Sequence, residues 1–373
     1  MARSLIPAPI AELPWRVILP LACLTCFGAA VLYSAAGGSM SPYASSHLSR
    51  FVLFLAMALV IRRFPKEIVR WAAFPAYGAV VLLLMGVEAL GFVGGGSQRW
   101  LALGPLVLQP SELMKPTIVL VLASFYNSLP VGEIGGWRSI LPAGALIAVP
   151  AALVIIQPDL GTALAICFGG GCTIFLAGLP MRWFVGGGVA AAVIAPLAFF
   201  FGLHDYQRNR VLVFLDPESD PLGTGYHITQ SKIAIGSGGI LGKGFGNGSQ
   251  SHLNYLPESH TDFVFATMSE EWGLVGGLGV LLVFGIILRW GLGVARRAPD
   301  RFSQLLAAGM TVTIFFYVMI NLMMVTGLAP VVGIPLPFMS HGGSSMMTNM
   351  ICIGTLMMVD RWTKEGGSSS SFS

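Results

Sequence analysis

Four groups of polar residues interrupt an otherwise apolar chain, and each has side chains that could do chemistry. The first is Gln98-Arg99-Trp100, followed by Gln109-Pro110-Ser111-Glu112-Leu113-Met114-Lys115-Pro116. Glu112 and Lys115 stand three apart, so on a helix they share a face and can pair. Ser111 is placed to cap that helix, and Pro116 removes the backbone bond back to the Glu112 carbonyl and should kink it. The pair either locks two helices together or forms the polar wall of a cavity, since charges at membrane depth default to function. The second group is Gln157-Pro158-Asp159-Leu160-Gly161. Pro and Gly make it a turn, and Asp159 either caps the next helix or takes a direct part.

The third group is the long polar segment 204–262, and segments of that length in a helical bundle are usually functional. It opens with His204-Asp205-Tyr206-Gln207-Arg208-Asn209-Arg210 and continues through Asp216-Pro217-Glu218-Ser219-Asp220-Pro221. Next comes Gly236-Ser237-Gly238-Gly239-Ile240-Leu241-Gly242-Lys243-Gly244, which is not a Walker A loop. Ser237 stands where that pattern needs Gly, and Gly244 where it needs Ser or Thr. A glycine-rich backbone with a lysine could still cradle phosphate oxygens through its N–H groups, or it could be only a turn. The segment closes with Leu256-Pro257-Glu258-Ser259-His260-Thr261-Asp262-Phe263. Asp262 sits where the polar segment meets an apolar run. There a carboxylate is desolvated, which suits a general base; the alternative is a helix cap. His252, Glu258, His260 and Asp262 could bind a divalent metal, although their spacing matches no defined motif. The fourth group runs from Val331 to Ser345 through Gly333, Pro335, Pro337, Ser340, His341 and Gly342. Broken by prolines and glycines, it reads as re-entrant or cavity-lining, because irregular backbone cannot face lipid.

These groups must be held by membrane helices. The chain is 55% hydrophobic and 10% charged, with mean hydropathy +0.77. A soluble domain carries about 25% charged residues, so lipid is the expected solvent. Apolar runs predict ten spans, at 15–36, 46–61, 71–92, 111–127, 140–156, 162–178, 184–203, 263–288, 304–327 and 346–360. The fold expected is therefore all-α, polytopic, with about ten transmembrane helices and one long extracytoplasmic loop at 204–262. No cleavable signal peptide is expected, because the first run is long enough to span and has no A-x-A site. Placing both termini in the cytoplasm puts most Lys and Arg inside, most clearly in loops 62–70 and 289–301. Most acidic residues then fall outside or within spans. The five cysteines lie in apolar runs and are expected to pack only. Residues 1–362 form one expected unit, and the Gly/Ser-rich tail 363–373 is expected to be disordered.

Taken together, Arg99-Trp100, Gln109-Pro110-Ser111-Glu112, Gln157-Pro158-Asp159-Leu160-Gly161-Thr162, Gly236-Ser237-Gly238-Gly239, Leu256-Pro257-Glu258, His260-Thr261-Asp262-Phe263 and Pro335-Leu336-Pro337-Phe338 resemble the SEDS family (shape, elongation, division and sporulation). The resemblance runs in order from about 15 to 360. Gly225–Gly236 and Met324-Val325 look most like its rod-shape branch, with the division branch as the close alternative. His341 departs from the pattern, since the family usually has tyrosine there. The resemblance implies a ten-span fold and a peptidoglycan glycosyltransferase acting on lipid II in the bacterial inner membrane. It implies work alongside a class B penicillin-binding transpeptidase within the elongation machinery. It also maps the family's essential aspartate onto Asp262. On that reading Asp262 is the base and polyprenyl pyrophosphate the leaving group. Substrate contacts are expected from Arg99, Glu112, Lys115, Asp159, Arg210, Lys243, His260 and Ser340, with Arg208 and Lys232 as weaker candidates. No cofactor is firmly expected, a divalent cation being the one candidate, and no nucleic acid is expected as partner. Membrane lipid is the surroundings. A lipid II flippase and a scaffold for the transpeptidase are the competing classes.

Overall fold

The computed structural model describes residues 13–94, 97–103, 106–197, 199–200, 205–216, 223–253, 255–256 and 258–369. Each of the ten predicted spans corresponds to a helix: α1 (Trp15–Ala35), α2 (Tyr43–Ile61), α3 (Lys66–Leu90), α4 (Pro110–Ser128), α5 (Trp137–Ile156), α6 (Leu160–Leu176), α7 (Met181–Leu197), α11 (Val264–Arg297), α12 (Arg301–Val325) and α13 (Gly343–Ser369). Among the described residues six of these, α1, α2, α3, α5, α11 and α12, are by themselves long and apolar enough to cross a membrane. The helices α4 and α12 form the centre, packed on each other and on α6. Their buried faces carry Met114, Ile118, Val121 and Leu122 from α4 and Leu306, Met310, Ile314 and Tyr317 from α12. The outer helices turn Val52, Val60, Trp71, Leu82, Leu141, Val189 and Val193 outward. Rows of exposed Val and Leu are tolerable only when lipid is the solvent.

One element departs from the all-α expectation. Between α3 and α4 the chain makes a three-stranded antiparallel meander: β1 (Phe92–Gly94), β2 (Ser97–Leu103) and β3 (Leu106–Leu108). Strands of three residues, as β1 and β3 are, are too short to show alternation in a sequence, and β2 passes from Ser-Gln-Arg to Trp-Leu-Ala-Leu without alternating. The long polar segment also has structure of its own, in α8 (Asp205–Leu215), α9 (Thr224–Ser237) and the single turn α10 (Ser249–His252). His204, residues 217–222 and Pro257 lie outside the described residues. At the chain's end, α13 runs on to Ser369, into the tail expected to be disordered. A helix already nucleated by packed turns adds each further residue at the gain of one hydrogen bond.

Two local features position the site. Pro116 sits inside α4, and the Glu112 carbonyl that it leaves unpaired accepts a hydrogen bond from the Thr348 hydroxyl of α13 at 3.2 Å. The second is a break in α11 at Gly273, whose φ of 63° and ψ of −160° are not helical. The glycine stretch 238–244 fills that break. Lys243 and Gly244 N–H groups donate to the Glu270 and Glu271 carbonyls at 3.0 Å each. Leu274 and Val275 N–H groups donate to the Gly239 and Ile240 carbonyls, at 2.9 and 3.1 Å. Backbone lies so close to backbone that a Cβ on Gly242 would come within 2.1 Å of the Glu271 carbonyl oxygen. These glycines therefore replace missing helix bonds, and the phosphate-cradle reading of the stretch is not what its N–H groups serve.

Candidate functional site

At the end of the bundle that carries α8 to α10, a cavity of about 760 Å³ opens among α2, β2, α4, α6 and the irregular segment before α13. Its charged lining is Arg50, Arg99, Glu112, Asp159, Glu258 and Asp262. His341 and Thr261 also face it.

The strand β2 delivers Arg99. Its Nε donates to the Gln157 carbonyl at 3.1 Å, another guanidinium nitrogen bonds the Pro158 carbonyl, and Nη1 lies 3.8 Å from Asp159 Oδ2. Asp159 accepts from the Thr162 N–H at 3.1 Å, so it is the N-cap of α6 and also faces the cavity. Gln109 Nε2 donates to the same carboxylate at 3.1 Å. Gln109, not Ser111, occupies the N-cap position of α4, because the helix begins one residue earlier at Pro110, whose fixed φ suits the first helical position.

Beneath the cavity floor, Glu112 accepts from Lys115 Nζ at 2.6 Å and from the Tyr317 hydroxyl. Lys115 Nζ also donates to the Tyr317 oxygen at 2.8 Å. Lys115 is only 1% exposed, so it does not itself line the cavity. A buried charge pair survives desolvation only when its remaining donors and acceptors are satisfied, and Tyr317 supplies that here.

Asp262 lies at the entry to α11. The N-cap position of that helix is Phe263, one residue after Asp262, and it carries no side-chain capping bond. The Asp262 main-chain carbonyl accepts from Asn321 Nδ2 at 2.9 Å, and the same amide donates to the Ile334 carbonyl at 2.8 Å. Asn321 thereby ties the irregular segment to the loop. Ser340 closes that segment, its hydroxyl accepting from the Leu336 N–H at 2.9 Å. It is buried and does not line the cavity. His260 stacks on Tyr43 with ring centroids 4.1 Å apart, one layer behind the wall. Burial pushes the His260 pKa below its ordinary value, against the pull of Glu258.

Lys243 is elsewhere. Its Nζ lies 2.6 Å from Glu270 Oε1, a fully buried carboxylate that also accepts from Ser249 and Gln250. Arg208 spends its guanidinium on the Phe199 and Phe200 carbonyls, at 2.9 and 2.7 Å. Lys232 is exposed on α9 and does not line the cavity. Arg210 lies in α8, with its side chain outside the described residues. No three His, Cys, Asp or Glu side chains come together as a metal site among the described residues, and the side chain of His252 lies outside them.

Arg50 was not among the candidates taken from the sequence. A signal was available: Tyr43, His47 and Arg50 recur at spacings of four and three, a polar face on an apolar helix.

The family model described as a cell cycle protein of the FtsW, RodA and SpoVE group matches residues 14–365. The chain belongs to this FtsW/RodA/SpoVE family. Among members of the family, the peptidoglycan glycosyltransferase MrdB of Escherichia coli K12 is 41% identical over 352 residues, 92% of each chain. The probable peptidoglycan glycosyltransferase FtsW of a Synechocystis strain is 40% identical over 294 residues, 78% of this chain and 73% of its own. Two solved structures of the family share the fold. One, described as structural coordination of polymerization and crosslinking by a peptidoglycan synthase complex, aligns with TM-score 0.81 and 32% identity. It covers 94% of this chain and 98% of its own. The rod shape determining protein RodA of Thermus thermophilus aligns with TM-score 0.70 and 28% identity, covering 94% and 97%.

Proposed function

We propose that this membrane protein is a peptidoglycan glycosyltransferase that polymerises lipid II during cell elongation. The observation that carries the reading is that Asp262 shares one cavity with Arg50 and Arg99, at the end of the bundle that carries α8 to α10. The names of its relatives support the same reaction, and at comparable coverage the rod-shape relative is the more similar, 41% identical over 92% of the chain against 32% over 96% for a division-type FtsW.

The chemistry follows from those groups. Asp262 takes the proton from the 4-hydroxyl of an acceptor sugar. The oxygen attacks the anomeric carbon of the lipid-linked donor, the bond to pyrophosphate breaks, and the configuration inverts. General-base help of this kind is worth roughly 10²–10⁴-fold. The pyrophosphate gains charge as it leaves, and arginines already fixed at the cavity wall stabilise that charge without reorganising. Arg99 and Arg50 take this role. Glu112 and Asp159, held by Lys115 and Arg99, shape the polar wall. Because the donor is anchored in lipid, the cavity belongs at the extracytoplasmic leaflet, open sideways to the membrane. Both termini and the basic segments 62–70 and 289–301, which join helices at the opposite end of the bundle, are then cytoplasmic, in line with the excess of Lys and Arg there. A class B penicillin-binding transpeptidase is the partner in this scheme.

The test is a polymerisation assay on purified protein with lipid II, with and without the transpeptidase. An arm with EDTA decides whether a divalent cation shares the pyrophosphate charge. Asp262→Asn is expected to abolish glycan synthesis while the protein stays folded and partner-bound. Glycan made by that variant would sink the assignment of the base. Movement of lipid II between leaflets with no polymer formed would favour a flippase instead.

A further inference from the structure

Among the described residues Arg50 and Arg99 are the two cations on the cavity wall, and they are held in different ways. Arg99 is answered by the Asp159 carboxylate and by two carbonyls. No carboxylate lies within ion-pair distance of Arg50 among the described residues. Its one hydrogen-bond contact there is with His341 Nε2, at 3.1 Å from Nη1. We infer that His341 is the positioning residue that aims the Arg50 guanidinium at the cavity, where it receives the pyrophosphate of the lipid-linked substrate. The inference rests on the glycosyltransferase reading above.

Three observations carry it. A guanidinium has donors only, so the contact is a hydrogen bond only when Nε2 is an acceptor on a neutral ring. Burial, followed by the nearby Arg50 charge, holds the His341 pKa down to about 4, so the ring is neutral at neutral pH. The ring is also fixed in place. The His341 backbone N–H donates to the His260 carbonyl at 2.8 Å, and the ring meets Tyr43 edge-on at 5.2 Å. Ser46 Oγ, one turn before Arg50 on the same helix, lies 2.9 Å from the same Nε2. Lastly, a neutral acceptor orients the arginine without cancelling its charge. A carboxylate at position 341 would form an ion pair and compete with an incoming anion. The outcome is a full positive charge held toward the cavity with its counter-ion left to the substrate.

The experiment measures binding of farnesyl pyrophosphate in detergent, with farnesol as the uncharged control, to wild type and to His341→Phe, His341→Gln and Arg50→Leu. His341→Phe removes the acceptor and keeps an aromatic edge for Tyr43; His341→Gln keeps an acceptor. Loss of a hydrogen bond to a charged group predicts affinity weaker by about tenfold in His341→Phe. His341→Gln should stay within about threefold of wild type. In the Arg50→Leu background, His341→Phe should weaken binding no further, since its effect passes through Arg50. In lipid II polymerisation the same variant should raise KM with little change in kcat. If His341→Phe does not fold, His341→Leu carries the same predictions.

Unchanged affinity in the acceptor-less variant, equal loss in Phe and Gln variants, or an additive double variant would overturn the inference. So would wild type that binds farnesol as well as the pyrophosphate. If wild type fails to polymerise lipid II but shows the predicted binding pattern, it is the glycosyltransferase reading that fails, and the Arg50–His341 anion site stands.

Discussion

Two lysine–carboxylate pairs, one at each end of the bundle, have the same length and different surroundings. Lys115 lies 2.6 Å from Glu112 under the cavity, with side chains 1% and 8% exposed. Lys66 lies 2.6 Å from Asp300 at the opposite end, with side chains 33% and 28% exposed. At that opposite end the charges tie turns together. Asp300 caps α12, Arg301 reaches the Leu129 and Ala177 carbonyls, and Arg361 reaches those of Arg63 and Phe64. Such contacts sit near water and are cheap to make. Around the cavity Glu112, Lys115 and Asp159 are buried and cross-linked among apolar helices, where each ion costs several kcal/mol to desolvate. Equal distances thus mark unequal investments. Charge kept where it is expensive is charge with a task, and here that task is to shape a polar cavity in a lipid-facing bundle.

The largest effect that would sharpen this contrast is chemical. Asp262→Asn should lower polymerisation by at least roughly 10²-fold, with thermal unfolding in detergent little changed. A variant that unfolds early would instead make Asp262 a structural residue like those at the opposite end. Next comes the buried pair. Lys115→Met leaves the Glu112 carboxylate uncompensated and should destabilise the protein by about 3–5 kcal/mol. The double change Glu112→Gln with Lys115→Met should cost less than Lys115→Met alone, as read from unfolding midpoints. A double variant at least as unstable would show that packing, not charge, holds the floor.

A smaller effect is expected in the glycine dock. Gly242 has φ +81° and no room for a Cβ, so Gly242→Ala should cost roughly 1–3 kcal/mol from the backbone alone. It should also speed hydrogen exchange at Leu274 and Val275, which donate into the dock. Wild-type exchange there would show that α11 does not need the glycine stretch. The smallest effect belongs to the opposite end. Lys66→Met should change stability by about 1 kcal/mol or less at neutral pH. Burial raises the Asp300 pKa, but bonds from Lys66 and Ser303 outweigh it, and the net value falls below the ordinary 3.8. A depressed carboxylate contributes stability that is full above its unfolded pKa and is lost as pH falls through the folded value. The Lys66→Met protein should therefore lose less stability below about pH 4 than wild type. Parallel acid curves would remove Asp300 from that account.

The helices were legible because lipid demands long apolar runs whose backbone bonds are all internal, and such runs show in composition alone. The placing of Glu112 and Lys115 on one face followed from helical spacing. The meander was not legible, because β1 and β3 are only three residues long and β2, which positions Arg99, runs from polar to apolar residues without alternating. The segment 238–244 shows a different limit. Its glycines announced that backbone must approach something closely, but not whether the neighbour was a phosphate or the broken turn of α11. Lys243 likewise declared a charge and concealed its partner, Glu270, which lies 27 residues on and is buried.

By itself, then, the amino-acid order determined the solvent, the course of the long apolar helices, and the set of charged residues that needed a reason. These are local matters: hydrophobicity, spacing and the identity of single residues. Only the tertiary structure decided which of those charges face one cavity. It brought Asp262, Arg99 and Asp159 together with the unforeseen Arg50, and it set Lys243 against a buried carboxylate instead. The reason is that pairing depends on distances between residues tens to hundreds of positions apart. Those distances are set by how helices pack, and no local pattern encodes them.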